Sequence, residues 1–223
     1  DQVGNRALGE RLAGLLPFPA LKLAAAAVLL SPYVPLLFMG EEYGEPRPFL
    51  YFINHGDPAL IEGVREGRRK EFAAFHAEGE APDPQAEATF EASKLQWDLG
   101  KAGRHGQLRA FYRELLRLRR ELPALARLDN ASLTATLIAP TVLELRRWCD
   151  SNRTIVWMNF AAELATVTVA LDAGSWSKQL DANDVAWGGD GSSLPMQWAD
   201  GALSNSLVLP PYAVVVYAAG VPT

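Results

Sequence analysis

The sequence predicts an α/β region over residues 1–128, followed by an antiparallel β-sandwich domain over residues 129–223. In the first region, an Ala-rich apolar helix pattern leads into a short, wholly apolar run and then into glycine and acidic residues. A strand that is apolar on both faces belongs in a parallel sheet covered by helices, and this order of elements is the repeating unit of a (β/α) barrel. After residue 130, short segments rich in Val, Thr, Ile and aromatic residues follow one another without helix patterns between them, which indicates antiparallel sheets.

The α/β region contains five expected helices, of which 7–16 and 107–121 have apolar residues at helical spacing and 20–30 is apolar nearly throughout. The clearest is residues 107–121, where Leu108 and Phe111 begin a single apolar stripe. Asp57 and Pro58 are typical of a helix start, with Asp as the N-cap and Pro at the first helical position. The expected helices are 7–16, 20–30, 58–77, 86–95 and 107–121; the expected buried strand is 34–39; the expected loops are 44–56, 79–85 and 100–106.

The β-sandwich domain is expected to contain short strands separated by Asp, Asn, Gly and Pro residues. Because no crossover helix lies between them, consecutive strands are expected to pair antiparallel. The expected strands are 133–138, 142–148, 154–160, 165–171 and 207–218.

Composition and charge exclude several classes of protein. The 223 residues are 49% apolar and carry a formal net charge of −5, which argues against a nucleic-acid-binding surface. Cys149 is the single cysteine, so no internal disulfide can form, and a reducing, cytoplasmic location is expected. The apolar stretch 20–39 contains Lys22, Pro32 and Pro35, so it is too interrupted for the roughly 20 residues of a membrane span.

Two motifs place amide and acidic side chains beside glycines: residues 1–6, Asp-Gln-Val-Gly-Asn-Arg, and residues 31–45, Ser-Pro-Tyr-Val-Pro-Leu-Leu-Phe-Met-Gly-Glu-Glu-Tyr-Gly-Glu. They resemble two late barrel motifs of the α-amylase superfamily of glycoside hydrolases, and most closely those of its maltooligosyltrehalose trehalohydrolase branch. The first matches the motif that follows the seventh barrel strand, from its Asp onward, and the second matches the eighth strand. The similarity continues through residues 48–52, 66–72 and 82–85. The resemblance implies the C-terminal part of a (β/α)8 TIM barrel, followed by the β-sandwich.

The resemblance also implies an activity for the intact enzyme. It would hydrolyse the α-1,4-glucosidic bond next to the trehalose end of maltooligosyl trehalose, with retention of configuration and without a cofactor. The expected partners are this α-glucan substrate and the N-terminal remainder of the same enzyme, with no nucleic acid and no membrane. No segment resembles the motifs of the nucleophile and the general acid, so the chain is interpreted as a fragment and is expected to be inactive alone. A 1,4-α-glucan branching enzyme and a non-catalytic glycan-binding fragment remain alternatives.

Asp1 matches the third catalytic carboxylate of the superfamily, which stabilises the oxocarbenium-like transition state without acting as nucleophile or acid. The alternative is a merely solvated N-terminal aspartate. The residues that the resemblance assigns to substrate binding come from both motifs: Gln2, Asn5, Arg6, Glu41, Glu42 and Tyr43.

Glu41 and Glu42 follow the expected eighth strand. One of them is expected to contact substrate and the other to form a salt bridge with a loop arginine such as Arg47; a structural role for both is the alternative. Tyr43 is the best placed of several aromatic residues that could stack on a sugar ring.

No metal site is expected. The histidines at 55, 76 and 105 have no ligand spacing. One acidic loop could hold Ca²⁺, but it lacks the regular ligand spacing and the terminal Glu of a calcium loop, so a turn cluster is favoured. Its members are Asp181, Asn183, Asp184 and Asp190.

Overall fold

A computed structural model describes residues 3–4, 6–74, 82–198 and 205–220. Six α-helices lie in these ranges: α1 (Leu12–Leu15), α2 (Phe18–Leu29), α3 (Pro58–Ala74), α4 (Glu87–Ser93), α5 (Gly103–Glu121) and α6 (Pro123–Ala126). Single turns of 3₁₀-helix lie at Glu41–Tyr43, Trp97–Lys101 and Val185–Trp187. None of the helices within these ranges has the length and apolar character needed to cross a membrane.

Local sequence signals explain where the main helices begin. The Asp57 side chain accepts hydrogen bonds from the backbone N–H groups of Ala59 (2.8 Å) and Leu60 (3.3 Å), which confirms the predicted N-cap of α3. Pro19 lies in the first turn of α2, where a missing N–H does no harm. The apolar stripe of α5 is fully buried, as predicted, and comprises Leu108, Phe111, Leu115 and Leu118.

Two predictions about the helices are wrong. The helix expected over 7–16 is reduced to the four residues of α1, because the backbone at Gly9 has φ +60° and its carbonyl accepts a hydrogen bond from Phe49 N–H at 2.8 Å. A Cβ on Gly9 would lie 2.2 Å from the Phe49 carbonyl oxygen, so this close approach requires glycine. The loop expected over 100–106 is helical instead, since a 3₁₀ turn ends at Lys101 and α5 begins at Gly103.

The buried strand expected over 34–39 is also not observed. Residues 34–38 have no regular secondary structure and no strand partner in the described ranges. Val34 is 78% exposed and Leu36 is 90% exposed. A strand needs a neighbouring strand for its backbone hydrogen bonds, and an apolar run alone does not supply one.

Eight strands form two antiparallel sheets: β1 (Leu133–Ala139), β2 (Val142–Cys149), β3 (Asn152–Asn159), β4 (Ala165–Val169), β5 (Trp176–Asp181), β6 (Gln197–Trp198), β7 (Asn205–Leu209) and β8 (Val214–Ala219). The larger sheet has the order β1-β2-β3-β8-β5-β6, and β4 pairs with β7 in the smaller one. The predicted antiparallel β domain is therefore confirmed.

Two details of the predicted strands are corrected. The single strand expected over 207–218 is two strands in different sheets, because Pro210 and Pro211 interrupt it and Tyr212 has φ +55°. Strand β5 was not predicted; its central residues Ser177, Lys178 and Gln179 are polar and hide the strand pattern.

The six-stranded sheet is the middle of three layers. On one face, Trp157, Val215 and Tyr217 pack against the two-stranded sheet. On the other face, Val156, Val214 and Val216 share a core with apolar side chains of α2 and α5. Helices α2 and α5 therefore share a core with the β domain, although the division at residues 128 and 129 remains a prediction.

Candidate functional site

The second motif folds into a tight turn, the Gly40–Gly44 turn, which surrounds the 3₁₀ turn Glu41–Tyr43. Both flanking glycines have left-handed backbones, with φ +84° at Gly40 and φ +69° at Gly44. A Cβ on Gly40 would lie 2.8 Å from the Cβ of Glu45. The glycines are therefore needed both for their dihedral angles and for space.

Glu45 anchors this turn and was missed by the sequence analysis. Its side chain is buried and accepts three hydrogen bonds: from Tyr43 Oη at 2.9 Å, from the backbone N–H of Gln96 at 2.6 Å, and from that of Arg47 at 2.9 Å. Burial and the neighbouring Glu45 raise the pKa of Tyr43 above its usual value. The only sequence signal for Glu45 is its place as the third acidic residue after Gly40.

Arg11 supports the turn from the other side. It is buried, and its guanidinium donates to the carbonyl oxygens of Arg47 (Nε, 2.7 Å) and Met39 (Nη1, 2.6 Å). Burial lowers the pKa of Arg11, and the carboxylate of Glu45 partly offsets this effect. Arg47 itself donates from Nη1 to the carbonyl of Lys94 at 3.2 Å. Within the described ranges it forms no ion pair with Glu41 or Glu42, so the salt bridge expected with a loop arginine such as Arg47 is not observed there.

Glu41 and Glu42 have different environments. Glu41 accepts a hydrogen bond from Tyr112 Oη at 2.9 Å and one from the Phe38 N–H at 3.2 Å. Burial, together with Glu41, raises the pKa of Tyr112. Glu42 is half-buried and has no hydrogen-bond or ion-pair partner among the described residues. Of these two carboxylates, Glu41 lines the cavity described below, and Glu42 is not among the described residues that line it.

Tyr43 is 2% exposed and packs inside the protein. Its ring lies under Gly100 and 6.4 Å from the ring of Trp97, and its carbonyl lies 2.7 Å from Nδ1 of His105. No open face of this ring is available for stacking in the described structure. The neighbouring Trp97 is 68% exposed.

The first motif is only partly described. Asp1, Gln2 and Asn5 lie outside the described residues, so their expected roles remain predictions. Arg6 is exposed and pairs with Glu10, with 3.3 Å between Nε and Oε2.

A cavity of about 560 Å³ joins the two motifs. Its walls are largely apolar and include Leu21 and Val28 of α2. Arg6 from the first motif and Glu41 from the second both line it, together with Arg11. Residues expected to bind substrate from two separate motifs therefore meet at one cavity.

The acidic loop after β5 is a turn cluster, as favoured. Asp181 accepts from the Asn183 N–H at 2.9 Å, and Asp184 accepts from the Ala186 N–H at 3.1 Å. A lysine of α2 also reaches this loop: the buried Nζ of Lys22 donates to the carbonyl oxygens of Ala182 and, at 3.0 Å, of Trp187.

Comparison with known proteins tests the resemblance. A malto-oligosyltrehalose trehalohydrolase of Saccharolobus solfataricus is 49% identical over 121 residues, which is 54% of this chain and 20% of the relative. That of Rhizobium sp. strain M-11 is 43% identical over 162 residues, which is 72% of this chain and 27% of the relative. The resemblance to the trehalohydrolases is confirmed.

The solved structures agree with this result. A candidate alpha amylase of Salmonella typhimurium has a TM-score of 0.74 and 35% identity, and the match covers 98% of this chain and 34% of that protein. The α-amylase-type fold class is confirmed by this likeness. The chain spans about a quarter of the length of the curated trehalohydrolases that it matches. No model of a protein family matches the chain.

Proposed function

We propose that this chain forms the C-terminal part of an enzyme that hydrolyses the α-1,4-glucosidic bond next to the trehalose end of maltooligosyl trehalose and releases trehalose. The observation that supports this most strongly is the identity of 43–49% to malto-oligosyltrehalose trehalohydrolases of two organisms. The reaction requires no cofactor, proceeds with retention of configuration and takes place in the cytoplasm.

In this proposal, the residues of the first motif act at the reacting sugar. Cleavage of a glycosidic bond builds positive charge at the anomeric carbon, and a fixed carboxylate from Asp1 stabilises it. Gln2, Asn5 and Arg6 bind sugar hydroxyl groups beside it. The position of Arg6 on the wall of the 560 Å³ cavity supports this assignment.

The second motif contributes one free carboxylate and its support. Glu42 accepts hydrogen bonds from substrate hydroxyls, because it has no competing partner among the described residues. Glu41 is held by Tyr112 and shapes the cavity wall. Tyr43, buried and bonded to Glu45, supports the turn instead of stacking on a sugar.

The test uses the full-length polypeptide, incubated with maltotriosyl trehalose and, separately, with amylose. We expect free trehalose from the first substrate and a newly formed reducing end in the α configuration, observed by proton NMR. New α-1,6 branches from amylose without trehalose would contradict the proposal and favour a branching enzyme. The 223-residue chain alone is expected to hydrolyse neither substrate, since no segment in it resembles the nucleophile or general-acid motifs.

Asp1→Asn in the full-length enzyme removes the charge but keeps the size of the side chain. We expect kcat to fall by on the order of 10²–10³-fold, which is typical of losing one electrostatic stabiliser. Asp150→Asn is the matched control, because Asp150 is exposed in a β-hairpin turn with φ +51°, a conformation that Asn also tolerates. An Asp1→Asn enzyme with unchanged kcat would remove Asp1 from the catalytic groups.

A further inference from the structure

The chain between α2 and the Gly40–Gly44 turn is attached at both ends to one face of α5. We call residues 30–41, from the end of α2 to the first acidic residue of this turn, the connecting segment. At its start, Arg119 donates from Nη1 to the carbonyl oxygens of Leu29 and Ser31, each at 2.6 Å, and from Nη2 to that of Tyr33. At its end, Tyr112 donates to Glu41. Because Tyr112 and Arg119 are seven residues apart, they lie on one helix face, about 10.5 Å apart along the axis.

The β domain adds a second arginine at the start of the connecting segment. Arg147 of β2 is 1% exposed, and it donates from Nη1 to the Leu30 carbonyl at 3.0 Å and from Nη2 to that of Arg127. Neither Arg147 nor Arg119 forms an ion pair within the described ranges; both bind backbone carbonyl oxygens. Burial, and then the nearby Arg119, lower the pKa of Arg147 to about 10.

Placing two arginines close together in a partly buried site costs free energy. Two cations held close together are unfavourable unless carboxylates or hydrogen bonds compensate them. The carboxylate of Asp129 acts to raise the pKa of Arg147 and offsets part of this effect. The carbonyl groups at the end of α2 supply such bonds, since the last carbonyls of a helix lack partners and carry partial negative charge. The arginines therefore fix the backbone where the connecting segment begins.

The middle of the connecting segment is only partly packed: Leu37 packs against the core, and Phe38 contacts the ring of Phe49 and the guanidinium of Arg11. Val34 is 78% exposed and Leu36 is 90% exposed, and residues 34–38 belong to no sheet. The Gly40–Gly44 turn is held on α5 by contacts at the two ends of the segment and by His105, whose Nδ1 lies 2.7 Å from the Tyr43 carbonyl oxygen, along with the Arg11 and Glu45 contacts within the turn.

We propose that Tyr112, Arg119 and Arg147 are positioning residues that hold the connecting segment on α5 and the β domain and so hold Glu41 on the cavity wall, with Glu42 beside it, for the α-glucan. This inference rests on the proposed function for its substrate, but the attachment itself can be tested without activity.

The attachment is tested by amide hydrogen exchange of the 223-residue chain, followed in peptides covering residues 29–45. Tyr112→Phe removes only a hydroxyl group, and Arg147→Met removes the buried guanidinium. Each variant is expected to speed exchange in these peptides by roughly tenfold or more while β3 and β8 stay protected. Tyr217→Phe is the matched control for the first, because it removes another hydroxyl that donates to a carbonyl, that of Pro195, within the β domain. Arg146→Met, at the neighbouring and partly exposed Arg146, is the control for the second.

Unchanged exchange over residues 29–45 in Tyr112→Phe would overturn the proposal, and so would an equal rise in β3 and β8, which would indicate general destabilisation. Tyr112→Phe keeps the test decisive if Arg147→Met does not fold. Arg147→Lys is expected to restore part of the protection, since an ammonium can reach one of the two carbonyl groups but not both.

The effect on the substrate is tested in the full-length enzyme. Tyr112→Phe is expected to raise KM for maltotriosyl trehalose by roughly tenfold with kcat within twofold, because a displaced Gly40–Gly44 turn weakens binding of substrate and transition state alike. Tyr217→Phe is expected to change neither constant. Faster exchange without a change in KM would overturn the link to substrate. A wild-type enzyme that releases no trehalose would instead overturn the proposed function, and the exchange data would still decide the attachment.

Discussion

The β domain and the motif-bearing region, residues 6–47, are stabilised in different ways. Strand β8 is buried along its whole length, and β3 is nearly so; each has an antiparallel neighbour on both sides. In the motif-bearing region, Leu12, Leu15 and Leu36 are 43%, 46% and 90% exposed. Outside the buried face of α2, this region is held by charged side chains on backbone groups, such as Arg11 on the Met39 carbonyl. Apolar packing fixes the scaffold, and polar contacts to the backbone fix the candidate site.

The largest expected difference between the two regions comes from removing one large apolar side chain in each. Trp157 is fully buried, contacts Tyr217 and donates from Nε1 to Glu144 at 2.9 Å. Trp157→Ala should lower the free energy of unfolding by about 3–5 kcal/mol. Leu36→Ala should change it by less than about 0.5 kcal/mol, because the side chain is already exposed. Urea unfolding of the 223-residue chain measures both.

A Leu36→Ala variant that lost 2 kcal/mol or more would break this comparison. It would show that Leu36 is buried in solution by a contact outside the described structure. A conservative Trp157→Phe variant separates the two roles of the indole, because it keeps most of the packing and removes the hydrogen bond to Glu144.

The next difference concerns pH and the lysine that connects the two regions. Burial lowers the pKa of Lys22 in the folded chain to about 8, even though Asp181 and Asp190 act to raise it, and Arg104 lowers it further. Below pH 8 both states carry the charge, and the folded state bears the full burial penalty. Between pH 8 and the unfolded value of 10.5, the unfolded chain binds a proton that the folded chain does not. The free energy of unfolding therefore gains a rising contribution from Lys22 across this window, of at most about 3 kcal/mol.

The measurement is the free energy of unfolding at pH 7.5, 9 and 10.5 for the wild type and for Lys22→Met, each compared with Lys70→Met. Among the described residues, Lys70 is exposed and pairs only with Glu66, so Lys70→Met should show the same pH dependence of the free energy of unfolding as the wild type. The free energy of unfolding of Lys22→Met should rise less with pH than that of the wild type or of Lys70→Met. If the free energy of unfolding changed equally with pH in all three proteins, folding would not lower the pKa of Lys22.

The two regions also differ in how well sequence predicts them. The stripe of α5 and most strands are local patterns, so their elements were predictable. The polar contacts that hold the turn were not predictable. Glu45 accepts a hydrogen bond from the backbone N–H of Gln96, and Arg11 donates to the carbonyl oxygens of Met39 and Arg47. Periodicity carries no information about such distant partners. For the same reason the apolar run 34–39 indicated a strand but not whether neighbouring strands cover it. Its place in a motif predicts Tyr43 as a residue that stacks on a sugar ring, whereas its burial depends on Gly100 and Trp97, far along the chain.

The last comparison concerns two glycines. Gly40→Ala should lower the free energy of unfolding by about 1–3 kcal/mol, because its backbone has φ +84° and its new Cβ would lie 2.8 Å from the Cβ of Glu45. Gly67→Ala should raise it by about 0.5–1 kcal/mol, since Gly67 lies inside α3 with open space around it and Ala favours a helix. Both are measured by urea unfolding of the 223-residue chain. A neutral Gly40→Ala would mean that the turn relaxes without loss, and the fixed position of Glu42 would then lose its physical basis. A destabilising Gly67→Ala would instead indicate that α3 packs against a surface outside the described residues.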